Sequence, residues 1–244
     1  MINLRIVIAL AALASGLNAE SVSGTILIKR KLTKPSVTAS VSIYQRGTAV
    51  KLAKDGEDDP LAFENSRVAV WIEGPGPAAD PDSRASMSAP DMAMQQAGRR
   101  FTPDLLVIPA GSSVSFPNMD PIFHNVFSLS KAKAFDLGNY PRGDSRTVVF
   151  PKAGIVSVNC HLHPNMAATI VVAPNRWAVR VDRSGHFELR DVPPGTYTVV
   201  AWHKAAGFFR KTVVVTAGHD AVTSFFIPLS AEGPEALSRI AVKD

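Results

Sequence analysis

Apolar residues in this chain recur at every second position, in short runs closed by Gly, Pro, Asp or Ser, and almost never at the 3.6-residue spacing of a helix. Val37, Ala39, Val41 and Ile43 alternate with small polar residues, and in Arg67 to Glu73 the residues Val68, Val70 and Ile72 share one face. Leu105 to Ile108, Ser112 to Phe116, Thr147 to Phe150, Ile155 to Val158 and Thr169 to Val172 read as further strands. So do Trp177 to Val181, His186 to Leu189, Tyr197 to His203, Lys211 to Val215 and Ser224 to Ile227. Such a chain is all-β, and strands at this spacing predict β-sandwiches. Lys51 to Pro60 and Pro75 to Asp91 are rich in charge, Pro, Ser and Asp and read as linkers, the second (75–91) flexible. The tail, 231–244, carries little pattern beyond a turn of helix.

Residues 1–19 read as an export signal. Arg5 is the positive start, Ile6 to Ala14 the apolar run, and Leu17-Asn18-Ala19 the cleavage site. The run is shorter than the roughly 20 residues needed to span a bilayer, so the mature protein is expected in a periplasm without stable membrane insertion. Without Arg5 the 26 Lys and Arg fall to 25 against 21 Asp and Glu. That excess is spread along the chain with no basic run among aromatics, which argues against nucleic acid.

Export makes the cysteine count informative. Cys160 is the only one of 244 residues. It cannot form an internal disulfide, and a free thiol in an oxidising compartment calls for burial, a partner or a metal. Its neighbours favour metal: Cys160-His161-Leu162-His163-Pro164-Asn165-Met166 sets Cys, His and Met at C-x-x-H-x-x-M spacing between two strands. Thiolate and thioether are soft donors that suit copper, and two His, one Cys and a weak axial Met form an electron-transfer copper set. The second His must come from another loop, and His124 is the best candidate. Structural zinc does not use Met, and c-type haem needs a second Cys. A Cys–His nucleophile pair is open in principle but leaves the Met unexplained. His186, His203 and His219 read as ordinary, and Met87, Met92 and Met94 as linker plus one strand.

From Met92 to Val172 the chain resembles the plastocyanin/amicyanin-type cupredoxins, in particular periplasmic proteins of the methylamine-utilisation type. The resemblance rests on Phe101-Thr102-Pro103, on Val107–Asn118 (VIPAGSSVSFPN), on His124-Asn125-Val126, and on AGIVSVNCHLHPNM followed by TIVV. It covers about a third of the chain. It implies a Greek-key sandwich over 92–174 with one copper ion on His124, Cys160, His163 and Met166. Asn125 is implied to brace the ligand loop. Two departures stand out. Asn159 replaces the aromatic many members carry before the cysteine. His161 directly follows Cys160, as in multicopper oxidases, but the His-x-His pairs of those enzymes are missing, so it reads as a surface imidazole, an auxiliary ligand or a docking residue.

Residues 177–228 resemble the carboxypeptidase-regulatory-like, transthyretin-like sandwich through Asp182-Arg183-Ser184-Gly185-His186-Phe187 and Val192-Pro193-Pro194-Gly195-Thr196-Tyr197. The segment 175–230 is short of strands for a whole sandwich. Residues 22–30 and 67–74, within 20–74, look like its opening strands, so a sandwich split around the copper domain is expected. The resemblances together imply a blue-copper one-electron carrier, not an enzyme, that serves redox protein partners. A copper carrier or sensor with the same ligands is the alternative, and an oxidase ranks third.

Overall fold

The computed structural model describes residues 20–33, 59–74 and 92–227. The export signal, the strand expected at Val37–Ile43, residues 51–58 of the first linker, all of the second linker and the tail lie outside the described residues.

In chain order the described strands are β1 (Glu20–Ile28), β2 (Val68–Glu73), β3 (Gln95–Ala97), β4 (Arg100–Thr102), β5 (Leu105–Pro109), β6 (Ser112–Pro117), β7 (His124–Ser130) and β8 (Lys133–Tyr140). They continue as β9 (Ser145–Phe150), β10 (Gly154–Asn159), β11 (Ala167–Ala173), β12 (Ala178–Arg180), β13 (His186–Val192), β14 (Gly195–His203), β15 (Gly207–Val215) and β16 (Ala221–Ile227). One short helix, α1 (Pro60–Asn65), begins where the first linker was expected to end. The Asp59 carboxylate caps it by accepting from the Leu61 N–H, and Pro60 starts it without wasting an amide.

The strands before and after the central segment share two sheets. β1 lies between β13, antiparallel, and β16, parallel. β2 lies between β12 and β14, with β15 at the edge. Val22, Ile26, Val70, Ile72, Phe187, Val199 and Phe225 fill the space between the two sheets. The central segment forms a five-stranded sheet, β5-β11-β10-β7-β8, and two strand pairs, β6-β9 and β3-β4. Its core holds Phe116, Tyr140, Phe150, Val156 and Ile170 together with Cys160 and Met166. The whole is an all-β structure of two sandwiches, one split around the other.

A third cluster joins them. In β2, Val68, Val70 and Ile72 face the first core while Ala69 and Trp71 face outward. In β11, Ala168, Ile170 and Val172 face the second core while Val171 and Ala173 face outward. The outward residues meet, with Leu105, Val107, Val200 and Trp202 between the sheets. Strands covered on both faces have no polar side to present, which is why VAVWI, LLVI, IVV and VVAW are unbroken apolar runs. Arg67 and Arg180 reach Asp104 across the same junction, at 2.5 Å and 3.8 Å. The central segment is therefore packed against the other sandwich through this cluster and these ion pairs.

Candidate metal centre

β7 begins at His124, and β10 ends one residue before Cys160. Asn159 pairs with Phe127, so the two ends lie side by side. The chain then turns through 161–166 and is pinned twice. The Met166 N–H donates to the His163 carbonyl at 2.9 Å, and the Cys160 N–H donates to the Met166 carbonyl at 3.2 Å. This tight loop brings His163 back over Cys160.

His124, Cys160 and His163 converge, with their donor atoms within 4.8 Å of one another. The two Nδ1 atoms are 3.1 Å apart, and Cys160 Sγ is 3.9 Å from Nδ1 of His124 and 3.7 Å from Nδ1 of His163. A point equidistant from these three atoms lies about 2.1 Å from each, within the range of about 2.0–2.3 Å for metal bonds to imidazole and thiolate. The three donor atoms are therefore spaced so that they could hold an ion of that size. Met166 is buried in the same core as Cys160. The donor set is soft, two imidazoles and a thiolate beside a thioether, and suits copper.

The imidazoles are prepared for the role. His124 is fully buried, and its Nε2 donates to the Asp120 carboxylate at 2.8 Å. That bond places the proton on Nε2 and leaves the Nδ1 lone pair facing His163 and Cys160. His163 is held below the ordinary histidine value, first by burial and then by the nearby His124 and Arg99, so it is neutral and able to donate a lone pair.

Asp120 is the residue that sequence reasoning missed. A two-residue turn between β3 and β4 has both Gly98 and Arg99 at positive φ, 61° and 57°, the twist that suits a tight hairpin. Its two N–H groups donate to the Asp120 carboxylate at 2.6 Å and 2.8 Å. Burial pushes that carboxyl up, but these amides and His124 outweigh it and hold it below the usual range. Asn118 closes the loop, accepting from the Asp120 N–H at 3.0 Å and donating to the carbonyls of Ile122 and Tyr140. The D-x-x-x-H spacing of Asp120 and His124 was the available signal, but without the hairpin it is indistinguishable from a surface loop.

Asn125 bridges the two ligand-bearing segments. Its N–H points to Cys160 Sγ at 3.5 Å, its Oδ1 accepts from the His161 N–H at 3.4 Å, and its Nδ2 donates to Asp136 at 2.6 Å. His161 stands apart from the three converging residues. Its ring lies flat on Phe127, centroids 3.7 Å apart and 5° between planes, with Nε2 3.6 Å from Asp136. Cys160 is buried in the core while His161, the first residue of the turn that follows it, is exposed on the other side. An auxiliary-ligand role for His161 has no support in this placement.

Residues 175–223 match a family model described as polysaccharide lyase family 4, domain II. Among solved structures, a copper-containing nitrite reductase from Thermus scotoductus SA-01 is similar at 26% identity over 33% of this chain, with a TM-score of 0.32. The match spans 22% of that enzyme's length. A reduced mutant of amicyanin is similar at 21% identity over 42% of this chain and 97% of its own, with a TM-score of 0.33. A second amicyanin mutant, with Cu(I), is similar at 20% identity over the same shares, also with a TM-score of 0.33. No curated protein matches. The donor geometry, and not these likenesses, carries the functional reading.

Proposed function

We propose that this chain would hold one copper ion on His124, Cys160, His163 and Met166, and that it carries single electrons between redox proteins without itself being an enzyme. The observation that carries the reading is the triangle of donors, spaced as three ligands of one ion would be. A structural zinc site would ask for a fourth Cys or His at a tetrahedral corner. Here the remaining soft donor near the loop is a thioether, the weak axial partner of an electron-transfer site.

Bound copper would supply the Cu(I)/Cu(II) couple. The protein's part is to keep the donors still while charge changes. Asp120 fixes the His124 ring through one nitrogen, and the Gly98–Arg99 turn fixes Asp120. The Asn125 N–H faces the sulfur, a contact that tunes the potential of such sites. His163 is only partly buried, which offers an edge for a partner. Export to a periplasm, through residues 1–19, accords with a lone thiol that a metal would protect. Among the described residues no helix is long and apolar enough to cross a membrane.

The test is spectroscopic. Protein loaded with Cu(II) should show an intense visible band that one equivalent of reductant bleaches and an oxidant restores. Cys160→Ser should remove the band while far-ultraviolet dichroism stays unchanged. A colourless protein that retains only Cu(I) would overturn electron carriage in favour of copper carriage.

A further inference from the structure

The first residue of β1 is buried with one polar atom left over. Glu20 is 4% exposed. Its Oε1 accepts from the Gly218 N–H at 2.5 Å, while its Oε2 is buried with no hydrogen-bond partner. A buried acceptor without a donor bears the full desolvation cost of that atom. The turn that grips Glu20 is shaped for the contact. It joins β15 to β16, closes through the His219 N–H on the Thr216 carbonyl at 3.0 Å, and holds Gly218 at a φ of 77°, where the lack of a Cβ avoids a clash. Beside it, Asp220 accepts from the Ser21 N–H at 2.7 Å, and this bond holds its carboxyl below the usual range.

Two carboxylates thus flank the first peptide link of β1, and one has an oxygen to spare. β1 is the central strand of its sheet, antiparallel to β13 and parallel to β16. A tie at its start therefore bears on the whole split sandwich.

Glu20 is also the residue that follows the expected cleavage site at Ala19. While residue 19 is attached, the Glu20 nitrogen is a neutral amide with one hydrogen. Hydrolysis of the Ala19–Glu20 bond consumes one water, leaves a carboxylate on Ala19 and passes the proton to the freed amine, which stays protonated at neutral pH. The nitrogen then bears a positive charge and three donors, on the residue that owns the unpartnered oxygen.

On the export reading given above, we infer that cleavage at Ala19–Glu20 is a stabilising switch. The new α-ammonium is the partner of Glu20 Oε2, and the first residue of the mature chain becomes an internal clasp between β1 and the β15–β16 turn. The chain that still carries residues 1–19 lacks the clasp, so full stability arrives only after export.

Intact mass and a double-mutant cycle test this. Exported protein should begin at Glu20 with a free amine. A chain that begins there but is lighter by one water has joined its side-chain carboxyl to its own amine as a lactam, which overturns the inference. The cycle compares mature chains that begin at Glu20 or at Ala19, each with and without Glu20→Gln. Retaining Ala19 should lower the folding equilibrium constant about tenfold to a hundredfold beside Glu20, the scale of one charge-assisted hydrogen bond. Beside Glu20→Gln it should lower it less than about twofold, because the pair is already broken. Equal losses in both backgrounds, or none, overturn the clasp. Should Glu20→Gln fail to fold, the amine itself reports. Its acylation near neutral pH, where lysines are protonated, should be at least about tenfold slower in the folded wild type than in urea, and equal rates overturn the inference. Protein recovered with residues 1–19 attached overturns the inference together with the export reading. A chain cut at Ala19–Glu20 whose losses are additive overturns the clasp alone and leaves export and copper standing.

Discussion

Each sandwich buries one histidine completely, and each sets its Nε2 on a carboxylate: His124 on Asp120 at 2.8 Å, His203 on Glu64 at 3.1 Å. The difference lies at the other nitrogen. Nδ1 of His203 accepts from the Ala205 N–H at 3.1 Å and is closed. Nδ1 of His124 faces a second imidazole nitrogen and a thiol sulfur. The first arrangement satisfies every polar atom of its ring within the protein. The second leaves lone pairs converging on one point, a shape that asks for a cation. A buried His–carboxylate pair is thus a structural clasp or a metal ligand with its support, and the partner of the free nitrogen decides which.

The carboxylates differ in the same way. Glu64 accepts from the Leu32 and Thr33 N–H groups at 3.0 Å and 2.8 Å and from the Thr33 hydroxyl. It ties the end of β1's chain to α1 and to β14. Glu64→Ala would orphan the buried His203 N–H and the part-buried Leu32 and Thr33 donors at once and should cost about 3 kcal/mol of stability, read from denaturant unfolding, with copper affinity unchanged. Asp120→Ala should show the reverse emphasis. Copper affinity should fall about 10- to 100-fold, as is typical when support for a metal-bound His is removed, with a stability loss smaller than that of Glu64→Ala. Equal effects of the two substitutions on copper affinity would erase the contrast.

Metal should separate the pairs a second time. A ligand bound only by the folded state stabilises it by about 4 kcal/mol at a thousandfold excess over its dissociation constant. Copper should raise the unfolding midpoint of the wild type and of His203→Gln alike, and leave that of Cys160→Ser where it was. A rise in Cys160→Ser would place the ion elsewhere.

Much of this was legible in the sequence, for identifiable reasons. Strands with a polar side announced themselves by alternation, and the runs covered on both faces by its absence. Cys160 and His163 stand close in sequence, so their meeting is a local matter of one loop. His124 meets them only because β7 and β10 pair, which no spacing shows. β8 escaped notice because Asp136, Gly138 and Asn139 dilute an alternation that Phe135 and Leu137 do carry, and these residue types are scarce in strands. The β3–β4 hairpin was missed because three-residue strands offer too few positions for a pattern. Asp120 went with it, since its role is set by two backbone amides that carry no residue signature. His203 was read as ordinary. It is indeed satisfied, but by Glu64, 139 residues away.

The smallest effect, pH, tests the protonation on which the comparison rests. Burial holds His203 below its ordinary 6.5, outweighing the opposing pull of Glu64. Burial pushes Glu64 up, but the Thr33 hydroxyl and amide, with His203 and the Leu32 amide, outweigh it and hold it below its ordinary 4.5. The folded pair is therefore a neutral imidazole donating to a carboxylate. As pH falls below about 6.5, the unfolded chain takes up a proton at His203 before the folded one does, so stability is full above that value and declines beneath it. Glu64 adds a second decline below about 4.5, where its unfolded form protonates first. In copper-free protein His163, also held low, contributes a parallel loss, so the informative quantity is the difference between the wild type and His203→Gln. Between about pH 7.5 and about pH 5 the wild type should lose more stability than the variant, whose amide keeps a donor toward Glu64 but does not titrate. A cationic His203 in the fold would reverse the sign, with the wild type gaining on the variant as pH falls, and Glu64–His203 would then be an ion pair.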